Sequence, residues 1–201
     1  MELLVATILL SFTLLGLGQA PPAFRFQIDT LHEGIPQPMH LEYGPDGKIY
    51  FIEIAGKLQR FDLKSKSLTT LGEVVITNDQ ENGLIGMALD PDFLSNQWIY
   101  LYHSPVDFKG QILSRFTITE EKLDHASRID ILKVDEQRNQ CCHHGGTIRF
   151  GRDGNLFIST GDNTSPFASN GFSPIDERKG REPFDAQKSS GNTNDLRGKI
   201  L

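Results

Sequence analysis

Two stretches of this sequence repeat one pattern: YGPDGKIYFIE at residues 43–53 and FGRDGNLFIST at residues 150–160. Each gives an aromatic residue, a tight turn and an apolar strand. The Asp-Gly pairs in these turns are strong hairpin signals. A looser copy of the pattern lies between them, over residues 87–102. The repeat therefore predicts antiparallel strand units that recur along the chain.

Strand patterns extend each copy into a unit of four strands. The predicted strands are residues 40–43, 48–54, 57–62 and 67–75, then 83–89, 98–103, 112–118 and 129–134, and a third unit begins at Gly146. About 50 residues for every four strands is typical of propeller blades. The sequence thus predicts an all-β fold, a β-propeller of four-stranded antiparallel blades, with about three blades present. Since a propeller needs about 4–8 blades, we expect residues 21–201 to be the N-terminal portion of a longer, truncated domain. The alternative is a complete, open all-β domain. It would leave the final predicted strand, residues 196–201, without a partner.

The segment from residue 163 to residue 195 is polar and rich in Gly, Pro, Ser and Asn. A loop this long in a compact domain is usually functional or disordered. It carries a mixed cluster of charges, which we expect to form a solvated loop face: Asp176, Glu177, Arg178, Lys179 and Arg181.

The N-terminus begins with an almost wholly apolar run over residues 3–17. This run is shorter than the roughly 20 residues that a spanning helix needs, and small and polar residues follow it. It predicts a signal peptide over residues 1–20 and a secreted or periplasmic protein. An uncleaved membrane anchor is the alternative, and contact with a membrane is expected only in that case.

Charge and cysteine content exclude several classes of function. The net charge is −6, so a nucleic-acid partner, which calls for a basic surface, is not expected. The two cysteines, Cys141 and Cys142, are adjacent, and no second pair completes a zinc site. They are either two thiols or a vicinal disulfide. No metal ligands are predicted in this part of the chain.

The densest polar motif is QCCHHGG at residues 140–146. Adjacent residues on a strand point to opposite faces, so only one of His143 and His144 should face a given site. The hairpin turn at Asp153-Gly154 would bring Asp162, which follows the next strand, back beside the histidines. A histidine that is oriented by a carboxylate is what a general base requires.

Three segments resemble the family of soluble glucose dehydrogenases that use pyrroloquinoline quinone (PQQ), together with the glucose/sorbosone dehydrogenase-like proteins. They are ENGLIGMALDPDF at 81–93, HHGGTIRFGRDGNLFISTGD at 143–162 and NDLRGKIL at 194–201. The resemblance implies a six-bladed propeller that binds PQQ and Ca²⁺. It implies a catalytic base at His143 and an orienting carboxylate at Asp162. Substrate contacts are implied at Glu81, where a neutral Gln is familiar in relatives, and at Asn82. The residues that bind the cofactor are expected in later blades, so this fragment alone should be inactive.

The resemblance implies a quinoprotein sugar dehydrogenase. In such an enzyme His143 removes the proton of an aldose hydroxyl, a hydride passes to PQQ, and an external acceptor such as a cytochrome or quinone takes the electrons. The alternative is a non-catalytic extracellular propeller that binds a protein or carbohydrate partner, since the domain also resembles that of hedgehog-interacting proteins. A Ca²⁺-dependent hydrolase would need a central cage of acidic and amide side chains, and the sequence shows no such set.

Overall fold

The computed structural model describes residues 25–167 and 169–201. The chain divides into two units, Met1–Glu33 and Gly34–Leu201. The predicted signal peptide, residues 1–20, lies outside the described residues. Within the first unit, residues 26–33 have no regular secondary structure. None of the helices in the described part of the chain has the length and hydropathy needed to cross a bilayer.

The second unit contains two complete four-stranded antiparallel sheets. The first is formed by β1 (Pro38–Tyr43), β2 (Lys48–Glu53), β3 (Lys57–Asp62) and β4 (Ser67–Glu73). The second is formed by β5 (Leu84–Leu89), β6 (Trp98–His103), β7 (Gly110–Thr119) and β8 (Lys122–Asp135), with a short helix α1 (Phe93–Asn96) before β6. In both sheets the strands are neighbours in chain order, so the structure confirms the predicted antiparallel units.

The hairpin between β7 and β8 is longer than the sequence predicts. Both strands run on to a two-residue turn at Glu120 and Glu121, whose φ angles are 50° and 62°. Two successive positive φ values suit a two-residue hairpin, where Asn-Gly or Asp-Gly is usual. Because a Glu pair carries no turn signal, the sequence predicted neither the turn nor the first half of β8.

A third sheet begins with β9 (Gly145–Phe150) and β10 (Leu156–Thr160). The last residues of the chain lie along β10, where Ser159 and Ile200 form an antiparallel bridge. The amide of Leu201 donates to the carbonyl of Ile158 over 2.9 Å. The last residues of the chain, 196–201, for which the sequence predicts a strand, therefore pair with this sheet.

Strands β5 to β7 of the second sheet are buried on both faces because apolar residues occupy both sides of them, whereas β8 is mostly exposed. On β6, Ile99 and Leu101 pack in one core cluster, with residues of the first sheet. Tyr100 and Tyr102 pack in the other cluster, with residues of β9 and β10. The two-residue period of a strand therefore divides the apolar side chains between two cores.

The first strands of the three sheets lie side by side, since β5 contacts both β1 and β9. At Gly86 on β5, an added Cβ would collide with the carbonyl oxygen of Gly146 on β9. Only glycine permits this approach of the two main chains. The last strands of the first two sheets, β4 and β8, are also in contact. Such a row of sheets is the arrangement expected of consecutive propeller blades.

The polar segment after β10 is folded against itself, and the expected solvated charge cluster is found only in part, since Glu177, Arg178 and Lys179 are exposed. Asp176 is buried rather than solvated. Arg178 donates to both of its carboxylate oxygens at 2.7 Å, and Ser169 donates to the same carboxylate. The Arg178 guanidinium holds the pKa of Asp176 well below its usual range. The charge cluster therefore has a buried carboxylate at its centre, and 3-10 turns Glu182–Phe184 and Ala186–Lys188 follow it.

The environment of His103, at the end of β6, should make the free energy of unfolding depend on pH. Burial lowers its pKa from 6.5 to about 4. Its Nε2 lies 3.0 Å from the Ser114 hydroxyl, which donates to Asp130, so Nε2 carries the proton. Its Nδ1 is buried and has no partner among the described residues. A second proton would therefore place a buried N–H without an acceptor.

The unfolded chain takes up that proton near pH 6.5, so folding stability should fall as the pH drops from about 6.5 towards 4. The loss should be on the order of 3 kcal/mol, since one pKa unit corresponds to about 1.4 kcal/mol. Denaturant unfolding of the full-length protein at pH 7 and pH 5 measures the part of this loss that falls above pH 5, about 2 kcal/mol. His103→Gln should reduce the difference between the two pH values. An unchanged difference would show that His103 does not remain neutral in the folded state.

Candidate active site

His143 and Asp162 form an exposed pair where β9 begins and β10 has ended. The Nδ1 atom of His143 lies 2.9 Å from Oδ1 of Asp162, which also accepts the amide of Thr164 over 2.9 Å. An ionised carboxylate only accepts hydrogen bonds, so Nδ1 of a neutral His143 carries the proton and Nε2 keeps its lone pair. The side chain of His143 is 46% exposed. The hairpin thus brings the two residues together as predicted, and their catalytic roles remain predictions.

His144 occupies a different environment from its neighbour. It is buried, and its Nδ1 lies 2.7 Å from Oε2 of the buried Glu136. Its Nε2, Oε1 of Glu136 and the hydroxyl of Tyr102 are all buried without a partner among the described residues. Burial, with the neighbouring Glu136 carboxylate, raises the pKa of Tyr102 well above its usual range. His144 is therefore almost fully buried, with 3% of its surface exposed, whereas His143 is exposed.

The two rings separate for a reason other than strand alternation. β9 begins only at Gly145, and His143 has a left-handed backbone with φ 59°. The expectation that only one histidine faces a given site is met, but a backbone turn rather than the pleat of a strand produces it. The left-handed conformation of His143 breaks the extended path of the backbone, and His144 enters the interior while His143 stays at the surface.

Asn163 organises the main chain around this turn, and the sequence analysis assigned it no role. It is buried, and its amide donates to the carbonyl of His143 over 3.1 Å. Its side chain accepts the Gln137 amide over 2.7 Å and donates back to the Gln137 carbonyl over 3.2 Å. Its Oδ1 also accepts from Arg197 over 3.3 Å. An Asn directly after a Gly-Asp pair was the available signal, because Asn tolerates left-handed conformations and bonds to nearby backbone.

Glu81 and Asn82, the predicted substrate residues, lie on the loop before β5 and point differently. Oε2 of the exposed Glu81 accepts the main-chain amide of His143 over 2.7 Å. Asn82 is 2% exposed and donates to the carbonyl of Asp79 over 3.1 Å. The role of Asn82 in substrate binding stays a prediction, since its side chain already forms a hydrogen bond within the protein.

The two cysteines precede His143 and are joined as a vicinal disulfide. Their sulfur atoms and a carboxylate oxygen of Glu81 all lie within 4.8 Å of one another. Zinc and similar ions bind cysteine as the thiolate. Because the two sulfur atoms are bonded to each other, this cluster does not form a metal site as it stands.

Two cavities flank the site. One of about 370 Å³ is lined by Asp162, Asn163, Lys188 and Arg197, among other polar residues. The other, of about 260 Å³, is lined by Gln80, Glu81, His144 and Gly145, together with apolar side chains. Each cavity is therefore lined by at least one residue that forms a hydrogen bond with His143.

Comparison with known proteins shows the family. The family model described as Glucose / Sorbosone dehydrogenase matches residues 35–181. The chain belongs to this family. The matched region contains both complete sheets, the vicinal cysteines and the His143–Asp162 pair.

Individual relatives agree with this membership. Quinoprotein glucose dehydrogenase B of Acinetobacter calcoaceticus is 28% identical over 149 residues, which are 68% of this chain and 31% of that protein. The PQQ-bound aldose sugar dehydrogenase of Streptomyces coelicolor is 25% identical with a TM-score of 0.68, over 87% of this chain and 46% of that one. The soluble aldose sugar dehydrogenase of Escherichia coli, in its apo-form, is 22% identical with a TM-score of 0.59, over 83% of this chain and 43% of that one. The chain therefore spans about a third of the curated relative and less than half of these two solved structures. The sheets of this Glucose / Sorbosone dehydrogenase family member are propeller blades.

The Gly161 position gives a test of how tightly the site is packed. A Cβ at residue 161 would collide with the carbonyl oxygen of His143. We expect Gly161→Ala to lower the free energy of unfolding of the full-length protein by about 1–3 kcal/mol, the usual cost of overpacking. Gly154→Asn is the matched control, because residue 154 lies in open space with φ 82°, a conformation that Asn tolerates. Denaturant unfolding measures both. A Gly161→Ala protein as stable as the wild type would contradict this packing.

Proposed function

We propose that the full-length protein is a quinoprotein dehydrogenase that oxidises a hydroxyl of an aldose, with His143 as the general base. The observation that carries the proposal is the exposed imidazole whose Nδ1 is held by Asp162 at 2.9 Å. Family membership supports the same reaction, since the relatives are named as glucose and aldose sugar dehydrogenases.

His143 can accept a proton because of its hydrogen bonds. Its proton on Nδ1 is directed at Asp162, so the lone pair of Nε2 is available to the hydroxyl on the anomeric carbon of a sugar. The imidazolium that forms is stabilised by the same carboxylate. Thr164 donates to Asp162 and keeps that carboxylate in place. When the proton leaves, the sugar carbon can release its hydrogen with the electron pair.

PQQ, with Ca²⁺ beside it, would supply the acceptor for that hydride, as a quinone in this family does. The described residues fit the proton-accepting half of such a site. The anionic cofactor also needs cationic partners, and two of the cations that follow Asp162, Arg197 and Lys199, are already engaged within the chain. Arg197 pairs with Asp195 at 2.6 Å, and the Lys199 ammonium donates to three carbonyl oxygens, of Ser189, Ser190 and Arg197. We therefore expect the residues that hold the cofactor in the later blades.

The remaining partners follow from the chemistry. The reduced cofactor must pass its electrons to an external acceptor, such as a cytochrome or quinone. We propose a secreted or periplasmic location, because the apolar run over residues 3–17 is typical of a signal peptide.

The proposal predicts the behaviour of the full-length protein supplied with PQQ and Ca²⁺. It should bind a quinone chromophore that an aldose bleaches, and it should reduce an artificial dye. His143→Ala should lower kcat by about 10²–10⁴-fold, the usual contribution of positioned proton transfer. Asp162→Asn should lie between it and the wild type, since Asn keeps a hydrogen bond but not the charge. PQQ affinity should change little in either variant.

The substitution His144→Ala tests whether the base is His143 or the neighbouring histidine. It leaves the buried Glu136 carboxylate without its imidazole, so we expect lower stability, with much of the turnover retained per folded molecule. If this variant is the inactive one, the base has been assigned to the wrong histidine. If the wild-type protein binds no PQQ and reduces no dye with any aldose, the enzyme proposal fails and a non-catalytic binding propeller takes its place.

A further inference from the structure

Glu81 has a structural task that its position in the family motif does not indicate. The motif places this residue near the substrate. In the structure its carboxylate oxygen instead accepts the main-chain N–H of His143 over 2.7 Å. A group that is bound to the backbone of the base can govern where the base lies without touching the sugar.

We propose that Glu81 is a positioning residue for His143, acting through the main-chain amide of that residue rather than as a ligand of the sugar. The inference rests on the proposed function for its catalytic consequence, although the contact itself does not.

The backbone of His143 needs such support. Its φ of 59° places a non-glycine residue in the left-handed region, which is unfavourable for a side chain with a Cβ. Two hydrogen bonds hold it there. Glu81 accepts the main-chain N–H of His143, and the carbonyl oxygen of His143 accepts the main-chain N–H of Asn163. The bond to Glu81 is the charge-assisted one and hence the stronger in kind.

Glu81 is itself held by a loop built from buried polar groups. The amide of Asn82 donates to Asp79 over 3.1 Å, which closes a tight turn around Glu81. Next to it, the amide of Gly83 donates to the buried Ser104 hydroxyl over 3.0 Å. The loop that carries Glu81 is therefore fixed to the second sheet.

The same polar groups lead back to His144. The Ser104 hydroxyl donates to Gln111 over 2.9 Å, and Gln111 donates to Glu136 over 3.0 Å. Glu136 then accepts from His144. The His143 amide is thus linked to the ring of His144 by the hydrogen bond to Glu81, the backbone of residues 81–83, and the hydrogen bonds from Gly83 to Glu136. The same set of contacts therefore reaches the main-chain amide of His143 and the imidazole of His144.

Substitutions at residue 81 can separate the length of the side chain from its charge. Glu81→Gln keeps an oxygen at the same distance, so it should stay close to the wild type. Glu81→Ala removes the acceptor, and Glu81→Asp keeps the charge but withdraws the oxygen by one methylene. Both should displace the imidazole and lower kcat, by on the order of 100-fold for a displacement near 1 Å. The KM for the sugar should change little.

Imidazole NMR of the full-length protein, labelled at histidine and measured without sugar or cofactor, provides a readout that does not depend on turnover. The His143 ring signals are assigned with His143→Gln. We expect Glu81→Ala and Glu81→Asp to shift these signals and the midpoint of their pH titration, and Glu81→Gln to retain the wild-type positions. Glu73→Ala, at the exposed end of β4, is the control and should change nothing.

The outcomes distinguish the two proposals. Unchanged His143 signals in Glu81→Ala, with a raised sugar KM and an unchanged kcat, would make Glu81 a sugar ligand and overturn the inference. Shifted signals in a protein that oxidises no sugar would support the positioning role while the proposed function fails. If Glu81→Ala does not fold, the contrast between Glu81→Gln and Glu81→Asp decides, and equal behaviour of these two variants would refute the inference.

Discussion

The left-handed turn at His143 is the constraint on which the candidate site depends. It sends two adjacent imidazoles into opposite environments, one at the surface beside Asp162 and one in the interior beside Glu136. The turn is held by Glu81 on its amide side and by Asn163 on its carbonyl side. Each of these residues comes from a different connection between strands. The site therefore exists only once neighbouring blades have packed together.

The blade architecture explains how such distant residues meet. Glu81 precedes the first strand of the second sheet, His143 precedes the first strand of the third, and Asp162 follows the second strand of the third. Because β5 and β9 lie side by side with glycine at their closest approach, the loops before these strands share one end of the sheets. Polar residues on loops above a rigid β scaffold are a common way to build a site.

Much of the fold could be predicted from the sequence because its signals are local. Turn residues and two-residue alternation located the strands of the first two sheets, and the Asp153-Gly154 hairpin correctly placed Asp162 beside His143. The β7–β8 turn was missed, since Glu120 and Glu121 adopt positive φ without a glycine to mark it.

The details of the site depend on long-range contacts, which carry no local signal. No local sequence pattern predicts that His144 pairs with Glu136, or that Asp176 is buried beside Arg178. The order of the two histidines came from the family motif, and the physical cause of their separation came only from the structure. The roles inferred for Glu81 and Asn82 were drawn from their position in a motif, whereas their contacts are with the chain itself.

The central claim is that His143, and not His144, presents its free nitrogen to the substrate. A crystal structure of the full-length protein with a bound aldose would test it most directly. The account predicts a sugar hydroxyl about 2.6–3.2 Å from Nε2 of His143, the reach of a general base, with His144 buried against Glu136 and Glu81 on the His143 amide. A sugar bound in contact with His144, or bound at this end of the blades with His143 turned away from it, would contradict the account.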